Sequence, residues 1–404
     1  MKTAVSFAAL TLALAVPAFA QSGGEAHEWG EMNVPDFEPN FPEQFRAPIE
    51  VSPYELQTEV LTDQLEHPWA VETLPDDQGY LVTERTGNLL HIGPDGEIMT
   101  RLSGVPQVHA VEQGGLLDVK LGPNFAEDRM VYLTYAKPME GEGMSATAAG
   151  RGTLSEDLTA IEGFEDIWIQ QPPSPSPMHY GSRIVFDGAG HAFITTGEHF
   201  TMQERDYAQH LDKTYGKVIR VNLDGSIPDD NPFVGNPDAD DSIWSYGHRN
   251  IQGAAMRDGD RLYIIEHGPA GGDEINVPEP GENYGWPIVS YGERYGGEPI
   301  GSGEAQAPDM EQPLYYWDPV IAPGDMTFYS GDAFPEWEGD ILIGGLVSGG
   351  LVRVALENDL ASAEERLITD VGRTRDVEVL DDGTLLVVTD YDNGELIHVT
   401  PSGG

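Results

Sequence analysis

Ser182–Gly197 reads SRIVFDGAGHAFITTG. An apolar run, a turn of Asp and Gly, and a second apolar run ending in Thr-Thr-Gly spell a short hairpin. Nothing in it has the 3.6-residue period of a helix. The same sentence recurs along the chain. WAVETL is followed by PDDQG and YLVTE, then by RTGN and LLHIG; GKVIRVNLDGS, RLYIIEHG and GDILIGGLVSGGLVRVAL come later, and TRDVEVLDDGTLLVVTD runs from Thr374 to Asp390. Amphipathic helices are scarce; LTAIEGF near Leu158 amounts to a short turn of helix. Loose repetition at roughly 40 to 60 residues fits propeller blades, and the span from Leu56 onward holds about six. The expected fold is therefore all-β, a six-bladed β-propeller, with a sandwich or jelly roll as the alternative that leaves the repetition unexplained. In a propeller the polar residues that end the inner strands converge on one mouth.

Residues outside that pattern divide in two. Lys2, an apolar run from Ala4 to Val16 and the small-residue pattern at Ala18–Ala20 predict an export signal over 1–20, and hence a periplasmic or secreted protein. Residues 21–55 are rich in Pro, Glu and Asn without periodicity, and predict an extension draped over a catalytic propeller at 56–404. No later run is long and apolar enough to enter a membrane. The chain has no cysteine, which excludes thiolate metal sites and disulfides.

The formal net charge is -48, from 69 acids against 21 bases. Such a surface repels nucleic acid, which is excluded as a partner. It also means that an arginine set among apolar or glycine-rich residues needs a local reason.

Several stretches carry chemistry-bearing residues. EQGGLLDV contains Gln113, HYGSRIVF begins at His179, and SYGHRNIQG contains Arg249 and Asn250. EHGPAGGDEIN, from Glu266 to Asn276, follows an apolar strand; GENYGWP comes next, and GRTRDVEV places Arg373 and Arg375 two apart, on one face of any strand they extend. Taken singly, each has an ordinary structural reading: a histidine bonded in the core, an arginine paired with a surface acid, a turn.

Taken together and in this order, these motifs and GKVIRVNLDGSIPDDNPF resemble the soluble PQQ-dependent sugar dehydrogenases, particularly the aldose sugar dehydrogenase branch, from about Leu56 to Val399. The resemblance implies a six-bladed propeller that binds pyrroloquinoline quinone (PQQ) and calcium at its mouth and oxidises aldoses at C1, passing electrons to an unidentified acceptor as a monomer or homodimer. It makes His179 the general base, with Arg249 and Glu198 beside it. It places Gln113, Arg249, Asn250, Arg373 and Arg375 around the cofactor. The carbonyls of Gly268 and Pro269 would hold the calcium against the quinone, and Glu274, Tyr284, Ser290 and Tyr291 would surround a second calcium. The chain departs from the pattern at Glu198, where the family has Asp; at Val347 and Ser348, where the glucose-oxidising branch has a Lys; and at His267, which stands for Gln. A calcium-dependent lactonase-like hydrolase and a non-catalytic binding propeller are the competing readings. A zinc enzyme has no ligand motif to support it.

Overall fold

The computed structural model describes the backbone of residues 20–23 and all of 27–402; the expected export signal lies outside the described residues apart from its last position. Six antiparallel sheets make up the fold, five of four strands and one of five. In each of the first five blades consecutive strands pair in order, from Pro68–Thr73 through Ile98–Arg101 in blade 1 to Pro323–Phe328 through Leu360–Leu367 in blade 5. Blade 6 joins the two ends of the chain: Thr374–Val379, Leu385–Thr389 and Gly394–Pro401 are completed by Glu55–Leu65, and Ala20–Gly23 adds a fifth strand. That pairing ties the last blade to an early strand and closes the ring, while each blade keeps short edges of its own. LTAIEGF is not helical. Leu158 sits in a turn at φ 58°, and Ile161–Ile169 is a strand.

The inner strands are Pro68–Thr73, Leu116–Leu121, Gly181–Phe186, Ile251–Arg257, Pro323–Phe328 and Thr374–Val379, each against the next in a closed ring. Every one of them is bulged near its start. In blades 1, 4 and 6 the bulge adds one residue, Trp69, Gln252 and Arg375; in blades 2, 3 and 5 two residues stand opposite one, Leu117–Asp118, Ser182–Arg183 and Gly324–Asp325. A bulge re-aims a side chain that ordinary alternation would send elsewhere.

Arg183 is the local reason for one arginine among apolar residues. It is 1% exposed and reaches all five other blades. It stacks on Trp69 at 4.0 Å, pairs with Asp118 at 2.9 Å, Asp325 at 3.1 Å and Asp376 at 3.3 Å, and donates to the Gln252 carbonyl at 2.9 Å. The extension packs on the outer strand of blade 4. The backbone and side-chain N–H groups of Asn33 and the Val34 amide donate to Asp318, and Phe45 stacks on Tyr316 at 4.5 Å.

Candidate active site

Two cavities open among the bulges and the loops above them, and His267 lines both. The larger, of about 250 Å³, is lined by Gln113, Asn250, Arg373 and Arg375, four of the five residues expected around a cofactor. It also contains residues the sequence reading missed: His67, Trp69, Arg85, Gln252 and Asp390. Their signal was present, since Glu84-Arg85 and Asp390 are the polar ends of strands YLVTE and LLVVTD. Which strand ends are neighbours is a matter of topology.

Asp390 organises the cations here. Arg375 bonds it at 2.6 Å, and Arg373 and Arg85 lie 3.5 Å away; His67 Nδ1 is 2.9 Å away. Burial works against this carboxylate, yet the arginines outweigh it and hold its pKa well below the usual range. Arg375 reaches the cavity from its bulge, and Arg373 stands just before the strand, with its guanidinium on the Leu346 carbonyl at 3.1 Å. The two converge, by a bulge rather than by the simple alternation expected. Three arginines against one carboxylate leave positive charge to spare, and the Nε atoms of Arg85 and Arg375 are buried without partners. A planar polyanion such as PQQ fits that lining.

The fifth residue, Arg249, lines the smaller cavity together with Gly268, Pro269, Glu274, Tyr284, Ser290 and Tyr291. Its space is about 20 Å³, room for one ion or water. Glu266 and Glu274 face each other across neighbouring strands. Burial first, then the Glu266 charge, pushes the Glu274 pKa well above the carboxylate range. The side chains of Tyr284, Ser290 and Tyr291 are already committed: to the Val277 carbonyl, to the Gly292 amide, and to Gln44 and Gln312. Their backbone oxygens are the ones left free, as are those of Gly268 and Pro269. Among the described residues no amide donates to any of those five carbonyls. Unpaired carbonyls beside two carboxylates suit calcium, which takes oxygen ligands of both kinds. The turn itself is fixed by Asp273, which accepts from the amides of Gly268, Ile321 and Ala322.

His179 stands beside Glu198, Nδ1 to Oε1 at 3.3 Å, and neither atom has a hydrogen-bond partner among the described residues. Its backbone amide donates to Gln113 Oε1 at 2.8 Å, so Gln113 holds His179 as well as lining the larger cavity. Burial lowers the His179 pKa, more than Glu198 raises it, with Arg249 adding to the fall. Glu198 has the opposite balance. Burial disfavours its charge, while His179, Arg249 and the Phe200 amide together leave its pKa low. The resulting state is a neutral imidazole beside a carboxylate. The backbone is held in left-handed conformations at His179, His199 and Phe200, with φ of 48°, 61° and 69°. Gly197 is required between them, because a Cβ there would lie 2.0 Å from the His179 carbonyl and 2.8 Å from Asn250 Oδ1. Strain of this kind persists where packing over-determines it, commonly at active sites.

A family described as Glucose / Sorbosone dehydrogenase matches residues 65–398. The chain is 44% identical over 354 residues to aldose sugar dehydrogenase YliI of Escherichia coli (strain K12), covering 87% of this chain and 94% of the relative. The crystal structure of the soluble aldose sugar dehydrogenase from Escherichia coli in its apo-form superposes with a TM-score of 0.82 at 43% identity, over 86% of this chain and 99% of that one. The PQQ-bound aldose sugar dehydrogenase from Streptomyces coelicolor gives a TM-score of 0.69 at 26% identity, over 86% and 99%.

Proposed function

The chain belongs to the glucose/sorbosone dehydrogenase family and is a sugar dehydrogenase, and from that premise we propose that it oxidises aldoses at C1 to lactones with PQQ and calcium. The observation that carries this reading is the excess of guanidinium around Asp390 beside a cradle of unpaired carbonyls. When bound, the quinone would supply the hydride acceptor and the ion Lewis acidity beside it. Arg85, Arg373, Arg375, Asn250 and Gln252 would hold the quinone. Gly268, Pro269, Glu266 and Glu274 would hold calcium, with the carbonyls of Tyr284, Ser290 and Tyr291 completing its surroundings.

His179 takes the proton of the C1 hydroxyl. Its Nδ1 faces Glu198, which favours the tautomer with the proton on Nδ1 and the lone pair on Nε2. Burial keeps the ring neutral and ready to accept. Arg249 lies over Trp286 at 5.2 Å and is anchored on the His267 carbonyl, which fixes its charge near the base. Export and cleavage near Ala20 belong to the same reading, with residues 21–55 as an extension of one catalytic unit. Among the described residues no helix is long and apolar enough to cross a membrane.

The test is reconstitution. Purified protein should reduce a dye with aldoses only after PQQ and calcium are added; NAD should not replace them. Full-rate oxidation by quinone-free, chelator-treated protein would overturn the assignment.

A further inference from the structure

Two arginines close to Arg249, Arg205 and Arg294, are not explained by the cofactor or the ion. Arg205 and Arg249 lie over the Trp286 ring, at 5.5 and 5.2 Å from its centroid. Arg294 is close enough for its charge to act on Arg205. Burial lowers the Arg205 pKa, Glu198 counteracts it, and the charges of Arg249 and Arg294 lower it further. None of the three forms an ion pair among the described residues, in a chain with 69 acids. Arg183, Arg220, Arg353 and Arg375 all do. The Nε atoms of Arg205, Arg249 and Arg294 are buried without hydrogen-bond partners. The nearby buried carboxylate, Glu198, is committed to His179 and to the Phe200 amide.

The cluster borders an open aromatic wall. Phe200 meets the His179 ring edge-on at 5.0 Å, Tyr295 lies 6.5 Å from Phe200, and the Tyr295 hydroxyl is 3.5 Å from Arg249 Nη2. Phe200 is 36% and Tyr295 70% exposed, so this wall faces solvent. A sugar ring against it would bring C1 to His179 and Arg249, and its far end to Arg205 and Arg294. Holding like charges together without counter-ions is unfavourable unless something anionic joins them.

We propose that the preferred substrate is an aldose bearing an anionic group away from C1, a carboxylate or a phosphate, which Arg205 and Arg294 bind. The reaction is the one assigned above, on which this inference rests for its chemistry. The C1–H bond breaks with its electron pair passing to the bound acceptor, the hydroxyl proton passes to His179 Nε2, and the C1–O bond becomes a carbonyl. The sugar is oxidised, the acceptor is reduced, and the anionic group is unchanged. A strongly negative protein repels such substrates at a distance, so a local cationic cluster is what their capture requires.

Calorimetric titration of the full chain without PQQ gives the first readout. D-Glucuronate or glucose 6-phosphate should bind at least tenfold more tightly than glucose, with the gap shrinking as salt is raised. Whichever of the two binds better identifies carboxylate or phosphate. Arg294→Gln and Arg205→Gln should each close most of that gap, and Arg294→Lys should restore part of it because charge is retained. In the reconstituted enzyme the ratio of kcat/KM for the charged sugar over glucose should fall with the same variants. Glucose bound as tightly as the charged sugars, or a gap that survives both Gln substitutions, overturns the proposal. Tight anion binding with no oxidation under any condition upholds the site and removes the dehydrogenase mechanism instead.

Discussion

In the proposed reaction His179 acts as the base because burial keeps its ring neutral, and the same burial sets its pH behaviour. Replacing a general base commonly slows the step it serves by about 10²–10⁴-fold. His179→Gln is expected to slow reduction of the bound quinone by at least the lower figure in stopped flow, with quinone affinity nearly intact. A purely structural histidine would give the reverse: lost stability and a normal rate. Burial also keeps His199 neutral, with a pKa of about 4, while its ring contacts the Gln170 side chain at 2.6 Å. For His179 and His199 the folded-state pKa lies below the unfolded value of about 6.5, so the unfolded chain binds more protons between the two. Both contribute stability that is complete above about pH 6.5 and declines on the acid side, with that of His199 lost as pH falls toward 4. Melting temperature measured across that window should drop on the acid side, and His199→Gln should flatten the drop. An equally steep drop in the variant would clear these rings of the effect.

At the scale of the element, the turn after Arg261–Glu266 and the bulges do the positioning. A Cβ on Gly268 would lie 2.2 Å from the Gly272 backbone, which no side-chain motion can relieve. Gly268→Ala must therefore shift the turn and its carbonyl. It is expected to abolish most of the rise in melting temperature that calcium gives the parent protein, each protein being compared with its own calcium-free melt. An undiminished calcium effect would take Gly268 out of the ion's surroundings. The bulge at Arg375 makes a companion case. Arg375→Ala should weaken PQQ binding by about 1.5–3 kcal/mol, the worth of a charge-assisted hydrogen bond, when apo-protein is titrated with the quinone. Wild-type affinity would assign Arg375 to Asp390 and Gln252 alone.

For the molecule as a whole, Arg183 is the residue through which six blades meet. Burial opposes its charge, but the carboxylates of Asp325, Asp376 and Asp118 more than compensate and raise its pKa. Arg183→Met keeps much of the volume and leaves three buried carboxyl groups without their cation. Breaking a buried ion pair from one side costs about 3–5 kcal/mol. The variant is therefore expected to melt far below the parent in calorimetry, and Asp118→Asn in the same background should recover part of the loss. Equal melting of parent and Arg183→Met would show that the blades are held by their apolar clusters alone.

Strand-turn-strand units, their number and the general class of fold were legible in the chain, because period-two apolar patterning and Asp/Gly turns act within a few residues. His179, Arg249, Gly268 and the Arg373–Arg375 pair could be named only through the ordered set of motifs and the family it resembles, since each stretch alone has an ordinary structural reading. Glu266, Arg85, Asp390 and the Arg205–Arg294 cluster could not. Arg85 and Asp390 are separated by most of the chain and meet only because blade 6 closes beside blade 1. The bulges were equally hidden: they depend on pairing register, and one residue of slip decides which side chain enters the axis. Local sequence determined the elements and the kinds of group available. Ring closure and register decided which groups meet, since the low-dielectric mouth they share exists only when all six blades are in place.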